Sequence, residues 1–221
     1  MSKTILVVIG HEDDEVLGCG GSIARHIAEG DKVLCVAFTT GLRSRDGMLE
    51  WDIQRRHIHA TDAAKVLGFT WYARHDMPDN AMDTVPLLDV VKHVEEAIDD
   101  LKPELVYTHH GGDLNIDHAV VYRAVMTATR PLPEQIVREV RLMEVPSSTE
   151  FSLTPFVPNL WVELTPKRLK AKMDALECYV DEVRDHTHPR STDAVATLAD
   201  RRGYEGGYQF AEAFNVVRRR L

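Results

Sequence analysis

Histidine and carboxylate side chains are concentrated at two places where an apolar run of the sequence ends. His11, Asp13 and Asp14 follow the run Thr4–Ile9, and a second group at 113–118 follows an apolar run that ends at Thr108. Clustered carboxylates repel one another unless a proton or a cation is shared among them. Each group alone could be only the cap of a following helix. The two groups together indicate the halves of one metal site.

Two imidazoles and one carboxylate form a ligand set that is typical of catalytic metal sites. His11, Asp14 and His118 would supply this set and leave a fourth position for water. His11 and Asp14 are three residues apart and can converge from one turn. Asp13 would point elsewhere and could remove a proton from water. Zn²⁺ suits these ligands, and Fe²⁺ or Co²⁺ would also suit them.

Strand-like and helix-like segments alternate through the first part of the chain. The pattern predicts strands at 4–9, 32–39 and 104–108, and helices at 22–29, 51–67, 85–101 and 117–130. This alternation predicts an α/β fold with a Rossmann-like, mostly parallel sheet flanked by helices. Ligands bind at the carboxyl ends of strands in such sheets. Both polar groups are therefore expected at one edge of the sheet.

The length of 221 residues suits one sizeable α/β core and is short for two. We expect a single domain over 1–221, with a core at about 1–130 and a C-terminal elaboration at about 131–221. The elaboration has predicted strands at 137–145 and 160–164, and predicted helices at 166–181 and 192–202.

The overall composition excludes several classes of protein. A formal net charge of −9 argues against a nucleic-acid binder or an anionic-membrane binder. The three cysteines are widely spaced and suggest neither a disulfide framework nor a thiolate zinc site. No apolar run of about 18 residues and no basic-then-apolar leader is present in the sequence. We expect a cytoplasmic protein without membrane insertion.

The sequence resembles the PIG-L or LmbE-like family of zinc-dependent N-acetylglucosaminyl deacetylases nearly from end to end. The family motif His-Pro-Asp-Asp-Glu corresponds to 11–15, with Glu12 in place of proline. The second motif, often His-Pro-Asp-His, corresponds to 115–118, with Asn115 in place of the first histidine. Proline ligates nothing, so the change at Glu12 affects loop stiffness more than metal binding.

The resemblance assigns roles to the residues of these motifs. It implies that the Zn²⁺ ligands are His11, Asp14 and His118. It implies that Asp13 is the general base. Asn115 replaces a histidine that stabilises the oxyanion or acts as an acid in some relatives, and an amide can donate a hydrogen bond but cannot supply a proton. Protonated Asp13 could act as the acid, or a nearby histidine such as His110 could do so. One of His109 and His110 could instead be an outer partner of the metal ligands.

Three further residues resemble substrate contacts of the family: Arg56, Asp79 and Arg190. Asp79 resembles an acceptor for a sugar hydroxyl. Arg190 follows Pro189, and a fixed loop with a bidentate donor suits a phosphate or a carboxylate. Without the resemblance, Arg56 could be a surface helix residue and Asp79 part of a plain turn.

The implied reaction is metal-dependent removal of the N-acetyl group from an amino sugar, or from its nucleotide or glycoconjugate derivative, with release of acetate. A close alternative keeps the hydrolysis and changes the amide to a thiol conjugate or a natural-product intermediate. A non-catalytic sugar-binding relative is an alternative from another class. Asn115 mildly favours that alternative. The intact motif residues oppose it: His11, Asp13, Asp14 and His118. The expected partner is a small N-acetyl sugar, and homo-oligomers are expected.

Overall fold

A computed structural model describes residues 2–220 and contains a seven-stranded sheet. Its strands are β1 (Thr4–His11), β2 (Lys32–Thr39), β3 (Thr70–Arg74), β4 (Leu105–His109), β5 (Glu139–Met143), β6 (Leu160–Glu163) and β7 (Ala211–Arg219). Their order across the sheet is β3-β2-β1-β4-β5-β7-β6. Strands β1 to β5 are parallel, and β7 runs antiparallel to both β5 and β6. The predicted α/β class with a mostly parallel sheet is confirmed.

Helices cover both faces of the sheet. They are α1 (Asp14–Ala28), α2 (Glu50–Leu67), α3 (Leu87–Leu101), α4 (Ile116–Ala128), α5 (Pro166–Cys178) and α6 (Thr192–Gly206). Alternate residues of β1 point to opposite faces. Val7 packs in the core formed with α1, α2 and α5, whereas Leu6 and Val8 pack in the core formed with α3 and α4. Burial on both faces explains the unbroken apolar run of β1.

The first helix begins earlier than the sequence predicts. The sequence predicts a start at Ser22, after the glycines, but α1 begins at Asp14 and contains those glycines, with a local break at Cys19. The prediction is wrong because the glycines serve close packing. A Cβ atom on Gly18 would lie 2.5 Å from Met143 Sδ, at the end of β5. The first polar group therefore lies at the junction of β1 and α1.

Two strands are missing from the sequence prediction. β3 is an edge strand whose residues are half-buried or exposed, and β7 is buried only over its first four residues. Strands β5, β7 and β6 extend the same sheet, and the division near residue 130 stays a prediction. Within residues 2–220, no helix is long and apolar enough to cross a membrane.

Candidate metal centre and active site

The carboxyl ends of β1 and β4 bring the two polar groups together. These strands are neighbours in the sheet. His11 is the last residue of β1, Asp14 is the first residue of α1, and His118 lies in the first turn of α4. All three side chains are buried. The separations are 3.1 Å between His11 Nδ1 and His118 Nε2, 3.3 Å between His11 Nδ1 and Asp14 Oδ2, and 3.2 Å between His118 Nε2 and Asp14 Oδ2.

This triangle of donor atoms fits a divalent metal ion. Ligand distances of about 2.0–2.1 Å in a tetrahedral zinc site place the ligand atoms roughly 3.3 Å from one another. The second oxygen of Asp14 is buried and has no hydrogen-bond partner among residues 2–220. Two imidazole nitrogens that face each other across a carboxylate oxygen are a suitable donor set for a cation. The group formed by His11, Asp14 and His118 could therefore hold a metal.

Each imidazole of the triangle is oriented by a carboxylate on its far side. His11 Nε2 lies 3.1 Å from Asp117 Oδ2, and His118 Nδ1 lies 3.1 Å from Asp113 Oδ1. Such carboxylates fix the orientation of ligating histidines and make them better ligands. Asp113 also accepts hydrogen bonds from the hydroxyls of Ser148 and Thr149. Sequence reasoning did not assign this role, although both acids lie within the second polar group.

Asp117 is also an acceptor for backbone amides. Its carboxylate accepts from the amides of Asn80 at 2.7 Å and Met82 at 3.0 Å. Asp117 therefore connects His11 to the segment that follows β3.

The pKa values of the triangle reflect its concentrated charge. Burial alone would lower the pKa of His11, but its hydrogen bonds to Asp117, Asp14 and Asp79 raise that pKa well above the ordinary value. Burial would raise the pKa of Asp14, but His118 and the hydrogen bond to His11 hold it well below the usual range. The carboxylate of Asp14 is therefore ionised and available for a cation.

Asp13 lies beside the triangle in a strained backbone conformation, with φ at 128°. Its Oδ2 atom lies 3.0 Å from a guanidinium nitrogen of Arg56 and 3.1 Å from one of Arg190. Its Oδ1 atom is buried without a hydrogen-bond partner in the described part of the chain. Burial raises the pKa of Asp13, although the two arginines oppose the rise. One oxygen is thus held while the other is free to accept a proton.

Asn115 is the N-cap of α4. Its side-chain oxygen accepts hydrogen bonds from the amides of Asp117 and His118, and its Nδ2 donates to the side-chain oxygen of Asn80 at 3.0 Å. The amide group has a second N–H that could face a substrate. Asn115 also lines the site cavity.

The two adjacent histidines at the end of β4 occupy different surroundings. The ring of His109 stacks on His118 with centroids 3.8 Å apart, and its Nε2 accepts from the amide of Gly10 at 2.8 Å. Burial lowers the pKa of His109 to about 3, so this histidine is neutral. The ring of His110 lies edge-on to Phe156, and neither ring nitrogen has a hydrogen-bond partner within residues 2–220. His109, not His110, packs against the metal triangle.

A polar cavity of about 80 Å³ opens beside Asp13. It is lined by His11, Asp13, Gly41, Arg45, Arg56, Asn80, Asn115 and Arg190. Arg56 is only 2% exposed, so it is not a surface helix residue. Asp79 is buried next to this cavity, where it accepts hydrogen bonds from the amide and hydroxyl of Ser44 and lies 3.5 Å from His11 Nε2. These contacts, chiefly the one with His11, lower the pKa of Asp79 to about 2 against the effect of burial.

Comparison with known proteins identifies the family. Residues 6–129 match the PIG-L family, described as GlcNAc-PI de-N-acetylase. The chain belongs to this family. An uncharacterized deacetylase of Escherichia coli strain K12, YaiS, is 30% identical over 180 residues, which cover 79% of this chain and 89% of the relative. The predicted family is confirmed, and with it the assignment to the deacetylases, which are hydrolases.

Solved structures show the same fold in this PIG-L family member and in distant proteins. The N,N'-diacetylchitobiose deacetylase of Pyrococcus horikoshii superposes with a TM-score of 0.77 at 18% identity, covering 98% of this chain and 84% of the other. The 4-carboxy-2-hydroxymuconate hydratase GalB of Pseudomonas putida KT2440 superposes with a TM-score of 0.79 at 22% identity, covering 99% and 98%. The fold therefore occurs with more than one reaction.

Proposed function

We propose that this protein is a zinc-dependent N-deacetylase that releases acetate from an N-acetylated amino sugar or one of its derivatives. The observation that carries this proposal is the position of Asp13. Its unpartnered Oδ1 atom lies next to a triangle of donor atoms, contributed by His11, Asp14 and His118, that has the dimensions of a zinc site.

The metal would be held by His11 Nδ1, Asp14 Oδ2 and His118 Nε2. When bound there, zinc supplies a Lewis acid that polarises the amide carbonyl and lowers the pKa of water. Asp117 and Asp113, each 3.1 Å from one imidazole, would keep the two rings oriented for a metal. Fe²⁺ or Co²⁺ would meet the same donors.

Asp13 would act as the general base. Its Oδ1 accepts a proton from the attacking water, while Arg56 and Arg190 hold Oδ2 in place. The N–H of Asn115 that does not bond to Asn80 can donate to the oxyanion. Asp13 then returns its proton to the leaving nitrogen, which balances the reaction without another acid. His110, whose ring nitrogens are unpartnered within residues 2–220, is the alternative donor.

The substrate would be a small N-acetyl sugar. Arg56 and Arg190 are the candidate contacts for its polar substituents, because both line the cavity beside Asp13. Asp79 would contribute by accepting from a sugar hydroxyl. The arginines would also suit a phosphate or nucleotide diphosphate on the sugar. We also propose that the protein is cytoplasmic and forms a homo-oligomer.

Other amides remain alternatives, including a thiol conjugate and a natural-product intermediate, as does a sugar-binding relative without turnover. The deciding experiment measures acetate release from N-acetylated sugars that are free, phosphorylated or nucleotide-linked. It compares zinc-loaded protein, chelated protein and chelated protein to which zinc is restored. We expect turnover on one sugar class that disappears with the chelator and returns with zinc. Bound zinc without acetate from any sugar would contradict the proposed substrate.

A further inference from the structure

The carboxylate of Glu182 connects three arginines at the active site. Arg45 pairs with both of its oxygens, at 2.8 Å and 3.0 Å. Arg56 lies 3.3 Å from Oε1, and Arg190 lies 3.2 Å from Oε2. The side chain of Glu182 is only 2% exposed. We propose that Glu182 is a positioning residue, which holds Arg56 and Arg190 against the catalytic carboxylate of Asp13; this inference rests on the proposed function.

The three arginines come from separate parts of the chain. Arg45 lies in the connection between β2 and α2, Arg56 lies on α2, and Arg190 precedes α6. Glu182 lies in the connection after α5. The helices α2 and α5 pack against each other, and Arg55 of α2 pairs with Asp181 at 3.0 Å. Within this packing, the buried carboxylate of Glu182 is the group that contacts an arginine from each of the other three segments.

The charges explain why a second carboxylate is needed. Without Glu182, Arg56 and Arg190 would share only the carboxylate of Asp13. Arg45 would lose its ion-pair partner, and the three guanidinium groups would repel one another. With Glu182, the arginines Arg56 and Arg190 each lie between two carboxylates. Burial would raise the pKa of Glu182, but the arginines lower it, first of all Arg56. The carboxylate is therefore present as an anion near neutral pH.

The arrangement bears directly on the geometry of Asp13. Arg190 is anchored on its other side by a hydrogen bond from Nε to the hydroxyl of Ser147 at 2.6 Å. Arg56 also donates to the carbonyl of Glu12. Both arginines reach the same oxygen of Asp13, so the other oxygen keeps one direction. Loss of Glu182 would allow the arginines to shift and Asp13 to rotate.

The substitution Glu182→Gln keeps the shape of the side chain and removes its charge. Glu177→Gln is the matched control, because Glu177 is exposed on the neighbouring α5 and forms no ion pair within the described residues. In zinc-loaded Glu182→Gln we expect kcat to fall about tenfold or more, with zinc content and KM for a neutral sugar nearly unchanged. Glu182→Asp keeps the charge and should recover part of kcat, whereas a role in packing alone would not follow charge.

A second readout does not depend on turnover. Inorganic phosphate, titrated by calorimetry, should bind Glu182→Gln about tenfold more tightly than the wild-type or Glu177→Gln protein, because the arginines have lost their internal anion. Equal phosphate affinity in the two glutamine variants would overturn the proposed role of Glu182, and so would an unchanged kcat. If the wild-type protein releases no acetate, the proposed reaction fails, and the phosphate titration still decides whether Glu182 holds the arginines.

Discussion

Two separate groups of histidine and carboxylate side chains have similar composition but differ in how their nitrogen and oxygen atoms are arranged. The metal triangle lies at the carboxyl edge of the sheet, and a second group of His26, Glu29 and Asp31 lies where α1 turns into β2. In the second group, His26 Nδ1 is 2.8 Å from Asp31 Oδ2, and His26 Nε2 is 3.0 Å from the hydroxyl of Tyr107. Both ring nitrogens of His26 therefore have partners within the protein.

The two groups differ in whether their acceptor atoms point toward one common position. At the triangle, the nitrogens of His11 and His118 face each other and the oxygen of Asp14, so three acceptors converge. At His26 the two ring nitrogens point away from each other, to Asp31 and to Tyr107. The hydroxyl of Tyr107 also accepts a hydrogen bond from Arg141 at 2.7 Å. Residue types alone do not make a metal site. Convergence of ligand atoms from separate segments does, and the ends of adjacent parallel strands provide it.

The largest expected effect separates the two groups by zinc affinity. Asp14→Ala removes one of the three proposed ligands and should weaken zinc binding by roughly 4 kcal/mol, or about a thousandfold, since the apparent free energy of zinc sites is roughly 10–16 kcal/mol. Asp31→Ala should leave zinc binding unchanged. Competition with a fluorescent chelator measures both. Equal zinc affinity in the two variants would show that the triangle is not the site.

Asp13→Asn tests the base without removing a ligand. It should lower kcat by about a hundredfold to a thousandfold, because the amide cannot accept the proton. Zinc content, measured by atomic absorption, should match that of the wild-type protein. Loss of zinc together with activity would instead make Asp13 part of the metal site.

Asp113→Asn tests the carboxylate that contacts the far side of His118. The amide cannot polarise His118 as a carboxylate does, and zinc affinity should fall about tenfold to a hundredfold. The corresponding change at the second group, Asp31→Asn, should have no effect on zinc. Competition with a chelator, run in parallel on both variants, measures their zinc affinities for comparison.

The smallest expected effect concerns pH and His26. Burial lowers the pKa of His26, although Asp31 opposes the shift. The unfolded chain then binds a proton more readily than the folded protein at acidic pH. The free energy of unfolding should therefore fall as the pH drops below the ordinary histidine value of about 6.5, and level off below the pKa in the folded state. Denaturant titrations of the wild-type protein and His26→Gln should show a shallower fall in the variant.

The sequence predicts the site best where an apolar strand pattern is followed directly by histidine and carboxylate residues. Buried parallel strands such as β1 have continuous apolar runs, and the polar residues after them mark the sheet edge, so the convergence of His11 and His118 was predictable. The start of α1 was not, because Gly18 lies inside the helix to admit Met143. No local pattern shows which distant side chain fills such a space.

The supporting residues of the site were harder to predict. Glu182 lies in a charged stretch, 181–186, that resembles a solvated surface, and only the fold brings it to Arg56 and Arg45. The choice between His109 and His110 depends on which ring contacts His118, and the ring of His110 lies against Phe156 instead. Such roles arise from contacts between segments far apart in sequence.

The wide spacing of the ligands along the chain has a consequence for how folding and metal binding are linked. His11 and His118 are 107 residues apart. His11 ends β1, His118 lies on α4 just after β4, and β1 pairs with β4 in the sheet. Packing of the sheet offsets the entropic cost of closing this long loop, so the closure does not require a metal ion. Small zinc domains unfold on chelation because the metal itself closes their loops. Here the ion should leave and return to a chain that stays folded.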